Sequence, residues 1–239
     1  MRKYNRFTSS TKDNGAGKDA DKQLTVIIPA AGMGHRMKSY GPKCLLPVNQ
    51  TNTIIDKIIS NVRKSYEFCD IIVVVGFESE RIIKTLDRRV RIVENHSYEE
   101  TNIVESIRLG INNSINDNAL IIYGDLIFNI NCIQGMTKNG SCVLVDKKNR
   151  FDDEEIGVTV VDGVATNFAY GLDSKWCHIA YLEGEEYESF SSLCQDKTKS
   201  KMYPFEFFNI VMRSGGVLKS FEPKNMNIKE IDSLKDLKK

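Results

Sequence analysis

From residue 24 onward the apolar positions of this chain alternate between two periods. Val26, Ile27 and Ile28 form a continuous β-branched run stopped by Pro29, the pattern of a strand covered on both faces. Ile54, Ile55, Ile58, Ile59 and Val62 then fall on one helical stripe within residues 53–64. Residues 71–75 return to a buried strand that ends at Gly76, so the opening of the chain reads as a βαβ unit. The spacing continues with a short helix over 78–86, a strand over 90–93, a helix over 100–111 and a strand over 119–123. This alternation predicts an α/β fold with a doubly wound, mostly parallel sheet. After Ser141 the runs shorten to strands at 142–145, 157–161 and 164–168, joined by charged turns such as 152–155. Helical periodicity reappears at 185–193 and 206–213. The later part should therefore form a smaller, strand-rich region. Residues 1–22 carry few apolar groups and no period, and are expected to be a disordered polar tail ahead of a single domain spanning 23–239.

Composition narrows the partners. A chain of 239 residues, 41% hydrophobic and 27% charged, can bury one sizeable core. Its 33 Lys and Arg nearly cancel 32 Asp and Glu, so no global field favours nucleic acid or an anionic membrane, and the expected partner is a small molecule. The apolar runs are far too short to span a bilayer and the amino terminus lacks a signal-peptide core, which points to the cytoplasm. The six cysteines show no C-x-x-C pair and read as small buried hydrophobes. Nothing in the pattern sets an oligomeric state.

The chemistry concentrates where the first strand ends. Ala30, Ala31, Gly32 and Gly34 put little side chain in the way of a ligand, so backbone N–H groups can approach anionic oxygens and a base. Arg36 and Lys43 add positive charge beside them. In open α/β sheets ligands bind at this carboxyl edge, and the combination predicts a polyphosphate site. It is not a Walker loop, because Lys43 follows Gly41-Pro42 and precedes Cys44, with no Ser or Thr to hold magnesium. Nor is it a dinucleotide fingerprint, since Met37 stands where the third glycine or alanine belongs. Gly15-Ala16-Gly17-Lys18 has no strand before it and carries no weight.

The run Ala30-Ala31-Gly32-x-Gly34-x-Arg36-Met37, followed by Pro42-Lys43-x-Leu45-Leu46-Pro47-Val48, resembles the signature of the nucleotidylyltransferases, the GT-A-like pyrophosphorylase superfamily. The resemblance implies a GT-A-like fold, nucleotidyl transfer with release of pyrophosphate, and catalytic roles for Arg36 and Lys43. It also implies that the later part of the chain builds the acceptor side of the cleft.

A second element, Ile121 to Ile127, delivers Gly124-Asp125 to the same edge as the glycine loop. A carboxylate there suits Mg²⁺, which takes oxygen ligands from one or two carboxylates and substrate phosphate. The superfamily places a metal-binding Asp after this strand, which assigns Asp125 that role; the alternative is a solvated helix cap. The ending Glu230-Ile231-Asp232-Ser233-x-x-Asp236-Leu237 resembles the Glu-Ile-Asp close of the family. On a strand Glu230 and Asp232 would share one face and could meet one cation, Asp232 first and Glu230 second. The competing reading makes Asp232 or Ser233 the cap of a terminal helix. Between these elements, Thr101-Asn102-x-x-x-Ser106-Ile107 resembles a segment that lines the base pocket of cytidylyltransferases. Asn102 and Ser106, four residues apart on a helix, would read a pyrimidine edge, unless Thr101 or Asn102 only caps that helix.

Sugar-phosphate members of the superfamily usually carry Glu-Lys-Pro in their later part, and this chain has no such tripeptide. It looks more like the small cytidylyltransferases that act on choline phosphate, related phosphoalcohols and phosphonates, which implies CTP as nucleotide and a small phosphorylated acceptor. Trp176, Tyr181, Tyr203, Phe205, Phe207 and Phe208 would supply an aromatic wall for a quaternary ammonium, or alternatively core packing, and Glu206 a contact to an amine. None of His35, His96 and His178 has ligand spacing. The alternatives left open are a sugar-phosphate nucleotidylyltransferase using UTP or dTTP and a non-catalytic nucleotide-binding regulatory module. A GT-A glycosyltransferase is disfavoured by the lack of Asp-x-Asp after residue 124.

Overall fold

The computed structural model describes residues 23–34, 41–148, 154–233 and 236; the expected polar tail at 1–22 lies outside them. The elements run β1 (Leu24–Ala30), α1 (Ile54–Ser65), β2 (Cys69–Val75), α2 (Ser79–Ile83), β3 (Arg91–Glu94), α3 (Ile103–Asn112), β4 (Asn118–Ile122) and β5 (Leu126–Phe128). They continue with β6 (Cys142–Asp146), β7 (Ile156–Val161), β8 (Val164–Tyr170), β9 (Lys175–Glu183), α4 (Gly184–Gln195), α5 (Pro204–Arg213), β10 (Lys219–Phe221) and β11 (Ile228–Glu230). Among the described residues nine strands make one mixed sheet in the order β3-β2-β1-β4-β9-β6-β10-β8-β7, and β11 pairs with β5 in a second, two-stranded sheet.

The first four strands are parallel, as the sequence pattern required. Because successive side chains of a strand face opposite ways, β1 sends Val26 and Ile28 to one face and Ile27 to the other. The first face packs on α1 through Ile54, Ile55, Ile58, Ile59 and Val62. The second packs with α3, through Val104, Ile107 and Ile111, and with the aromatics Phe207 and Phe208 of α5. This double cover explains the uninterrupted apolar runs. A reciprocal capping box starts α1: the Thr53 N–H donates to Asp56 Oδ2 at 2.9 Å, and the Asp56 N–H to Thr53 Oγ1 at 3.4 Å.

The later half turns antiparallel. The hairpin β7–β8 is closed by Asp162 and Gly163 with φ of 49° and 80°, the two positive angles of a type I′ turn. Strand β9 was not foreseen. It lies between β4 and β6, antiparallel to both, and joins the two halves of the sheet. Five cysteines are buried, Cys69 is half-buried, and all six are free. No described helix is long and apolar enough to cross a membrane.

Candidate active site

The chain moves from β1 to β2 to β3 in one direction and then returns to place β4 on the other side of β1. That reversal opens a crevice at the carboxyl edge of the sheet, the usual ligand position in such folds. A cleft of about 300 Å³ lies there, lined by Ala30, Ala31, Gly32, Gly34 and Lys43 on one side and by Asn95, Asn102, Ser106, Tyr123 and Asp125 on the others. Gly124 is required by the close approach of β4 to β1, because a Cβ there would sit 2.9 Å from the Pro29 carbonyl oxygen. Arg36, expected to be catalytic, lies outside the described residues.

Three distant segments meet around one ammonium. Lys43, in the 3-10 turn Lys43–Leu45, donates from Nζ to Asp232 Oδ1 at 2.7 Å and to Asp125 Oδ2 at 3.4 Å. Asp125 leaves the carboxyl end of β4, and the pairing of β11 with β5 brings the carboxyl terminus alongside, with the Ile231 N–H donating to the Asp125 carbonyl at 3.0 Å. The strand ends at Glu230, two residues earlier than a shared strand face for Glu230 and Asp232 would need, yet both carboxylates reach the cluster. Asp236 accepts from the N–H groups of Asp232 (3.2 Å) and Ser233 (2.7 Å), the contact that a capping Ser233 makes, so the cap role of Ser233 and a free Asp232 carboxylate coexist. The Asp232 side chain is left for Lys43.

The electrostatics follow from this crowding. Burial disfavours the Lys43 charge, but Asp125 and the bond donated to Asp232 outweigh it and hold the ammonium pKa above its ordinary value. Burial, followed by repulsion from Glu230, pushes the Asp125 carboxyl upward. Glu230, raised to about 7 by burial and by Asp232, adjoins a second group, where Lys175 pairs with Glu155 at 2.5 Å and lies 3.9 Å from Glu230. Beside it His178 holds φ of 55° inside β9, where the register with β6 shifts, a conformation uncommon for a non-glycine residue. Its ring packs against Tyr123 and Trp176 at centroid distances of 4.7 and 4.9 Å, and burial lowers its pKa to about 4.

Asp125 Oδ1 is buried and has no hydrogen-bond partner among the described residues, although three carboxylates converge on one lysine. An orphaned carboxylate oxygen in an acidic cluster fits a cation. Among the described residues no group of three or more His, Cys, Asp or Glu forms a complete metal cage, so any cation here would need further oxygens from a ligand, as magnesium does with phosphate.

On the far wall Asn102 lines the cleft and also caps α3. Its Oδ1 accepts from the Val104 N–H at 3.0 Å and its Nδ2 donates to the Met202 carbonyl at 2.7 Å. Ser106 is buried within reach of Asn95 at 3.2 Å. The three residues expected at the acceptor are placed otherwise. Trp176 is 1% exposed among Phe168, Phe208 and Tyr123, and its indole N–H donates to the Ile179 carbonyl. Tyr181 is fully buried, with its hydroxyl on Glu183, which pairs with Asn118 at the opposite end of β4 from the cleft. Both corrections have one cause: these residues belong to central strand β9, whose large side chains fill the core. Glu206 accepts from the Tyr203 N–H at 2.7 Å and caps α5, which occupies the carboxylate expected to meet an amine.

The sequence reading missed Glu155, Lys175 and His178 as a group, and Asn95 as an individual. Lys175 and His178 sit in the run Lys175-Trp-Cys-His-Ile-Ala-Tyr-Leu-Glu183, whose aromatic and β-branched content was a strand signal.

Residues 26–188 match the model of the MobA-like NTP transferase domain. The chain belongs to this family. Its sheet matches those of nucleotidyltransferase structures, and the chain is an enzyme of that class. CTP:phosphocholine cytidylyltransferase from Streptococcus pneumoniae superposes with a TM-score of 0.72 at 20% identity, over 90% of this chain and 96% of that one. A glucose-1-phosphate thymidylyltransferase from Bacillus anthracis gives 0.76 at 16% identity, over 90% and 92%. The inositol-1-phosphate CTP transferase from T. maritima gives 0.71 at 18% identity, over 89% and 90%. At these identities the likeness is one of fold. Among curated proteins, the bifunctional protein GlmU of Symbiobacterium thermophilum is 35% identical over 103 residues, which are 43% of this chain and 21% of that protein.

Proposed function

We propose that this nucleotidyltransferase moves CMP from CTP to a small phosphorylated alcohol or phosphonate of the choline phosphate kind and releases pyrophosphate, with Mg²⁺ as cofactor. The observation that carries the reading is the convergence of Lys43, Asp125 and Asp232 at the mouth of the glycine-lined cleft. Asp125, Asp232 and secondarily Glu230 would hold the cation, which when bound neutralises triphosphate charge and assists departure of pyrophosphate.

The chain's own groups supply the rest. The Ala30–Gly34 backbone and the wall of Asn102 and Ser106 receive the nucleotide. An acceptor phosphate oxygen, already anionic near neutral pH, attacks the α-phosphorus in line; the new P–O bond forms as the bond to the β-phosphate oxygen breaks. No general base is needed. Lys43, whose pKa stays above its usual value, remains protonated and donates to phosphate oxygens, and Arg36, two positions after Gly34 in the sequence, would add a second cation. The preference for CTP and for a small acceptor is supported by the Thr101-Asn102-x-x-x-Ser106 segment and by the missing Glu-Lys-Pro tripeptide. Two of the structures of like fold are named for CTP.

The test is acceptor-dependent pyrophosphate release with Mg²⁺, each of the four nucleoside triphosphates being paired with choline phosphate, ethanolamine phosphate, aminoethylphosphonate, glycerol phosphate and hexose phosphates. Release with CTP and a phosphoalcohol or phosphonate is expected. Release confined to UTP or dTTP with a hexose phosphate would replace this reading with the sugar-phosphate branch.

A further inference from the structure

Asn95 follows β3 directly, with its N–H on the Val75 carbonyl at 2.8 Å, and is only 2% exposed although it lines the cleft. Its Oδ1 accepts from the Ser97 N–H at 3.0 Å. A backbone N–H can only donate, so that contact fixes which end of the amide is oxygen and turns Nδ2 the other way. Nδ2 reaches two hydroxyls, Thr101 Oγ1 at 3.3 Å and Ser106 Oγ at 3.2 Å. The Thr101 hydrogen is spent on the Ser97 carbonyl at 2.6 Å, so Thr101 receives from the amide. Ser106 receives as well, and among the described residues no acceptor takes its hydrogen. The bond from Asn95 uses one of the two Ser106 lone pairs, and the hydrogen, with no such acceptor, is left to point into the cleft that Ser106 lines.

We propose that Asn95 is a specificity-determining positioning residue. Its amide holds the Ser106 hydroxyl as a hydrogen-bond donor toward the nucleobase, which favours a pyrimidine with an acceptor at N3, cytosine, over uracil or thymine, which carry N–H there. This inference rests on the reading of the cleft as a nucleotide site. The selectivity comes from a residue that need not touch the base, because a wrong partner turns the Ser106 hydrogen away from the base and leaves it without an acceptor in a buried place.

The experiment measures CTP and UTP affinity with Mg²⁺ by calorimetry, which needs no acceptor, on the wild type, Asn95→Asp, Ser106→Ala and Ser106→Thr. In Asn95→Asp a carboxylate oxygen replaces Nδ2 and draws the Ser106 hydrogen to itself, turning a lone pair toward the base. The expected result is a wild-type preference for CTP of roughly tenfold or more, lost or reversed in Asn95→Asp, lost in Ser106→Ala and kept in Ser106→Thr. If Asn95→Asp does not fold, the two Ser106 variants carry the test. Equal weakening of both nucleotides in the variants, or a wild type indifferent between them, overturns the proposal. In that case pyrophosphate release with an acceptor leaves the proposed transfer standing. Failure to bind either nucleotide overturns both.

Discussion

Lys43 and Asp232 lie 189 positions apart and yet meet at 2.7 Å beside the cleft, with Asp125 3.4 Å from the same ammonium. Neither partner sits in the middle of a regular element. Lys43 is on a 3-10 turn and Asp232 follows the end of β11, so the contact depends on β11 docking against β5.

Removing that ammonium should slow transfer with little change in fold. Lys43→Met is expected to lower kcat by about 10²-fold or more, since a preorganised donor to the transferring phosphate is lost. Steady-state pyrophosphate release checks this, and a fall confined to KM would place Lys43 in uniform binding instead.

Asp125→Asn should uncouple nucleotide binding from the divalent cation. In the wild type, CTP affinity is expected to tighten as Mg²⁺ is added; in the variant that dependence should shrink to a small fraction. Calorimetric titration with and without EDTA measures it. An unchanged Mg²⁺ dependence would remove Asp125 from the metal site.

Glu230 sets a pH dependence of stability. Its folded pKa, raised by burial and by Asp232, is about 7 against an ordinary 4.5. A carboxyl raised in this way binds its proton more tightly when folded, so its contribution is present below about 4.5 and is lost as pH climbs through about 7. A shift of that size corresponds to roughly 3 kcal/mol. Without metal, Glu230→Gln should therefore gain stability relative to the wild type across that window, read as a widening gap in urea midpoint from pH 4.5 to 8. His178, lowered to about 4 mainly by burial, has the opposite slope and lies 3.4 Å from Glu230, so the gap reads Glu230 together with the groups it contacts.

Trp176 and Glu206 should behave as structural residues. Trp176→Ala is expected to cost about 3–5 kcal/mol by emptying a packed aromatic site. Trp176→Phe should be milder and leave the acceptor KM unchanged. Glu206→Ala removes the acceptor for the Tyr203 N–H and should cost about 1 kcal/mol, again without an acceptor effect. A KM shift specific to a cationic acceptor in Trp176→Phe or Glu206→Ala would return that residue to the acceptor site.

The sequence by itself determined what depends on local order. The β-branched runs at 26–28 and 71–75 and the stripe from Ile54 to Val62 specify strands and a helix because side-chain period decides which face is apolar. The short-range run from Ala30 to Lys43 likewise marked the edge where the cleft opens. Tertiary structure alone decided what depends on pairing between distant segments. Strand β9 sits between β4 and β6 because its hydrogen-bonding edges found partners on both sides, and this turned Trp176 and Tyr181 into the core. The antiparallel register of β11 on β5 carried Glu230 and Asp232 to Asp125. The amide of Asn95 acquired a direction only when the Ser97 N–H and the Ser106 hydroxyl closed around it. Hydrophobic period is written along a chain, whereas hydrogen-bond direction and charge proximity arise from contacts that the chain makes only once folded.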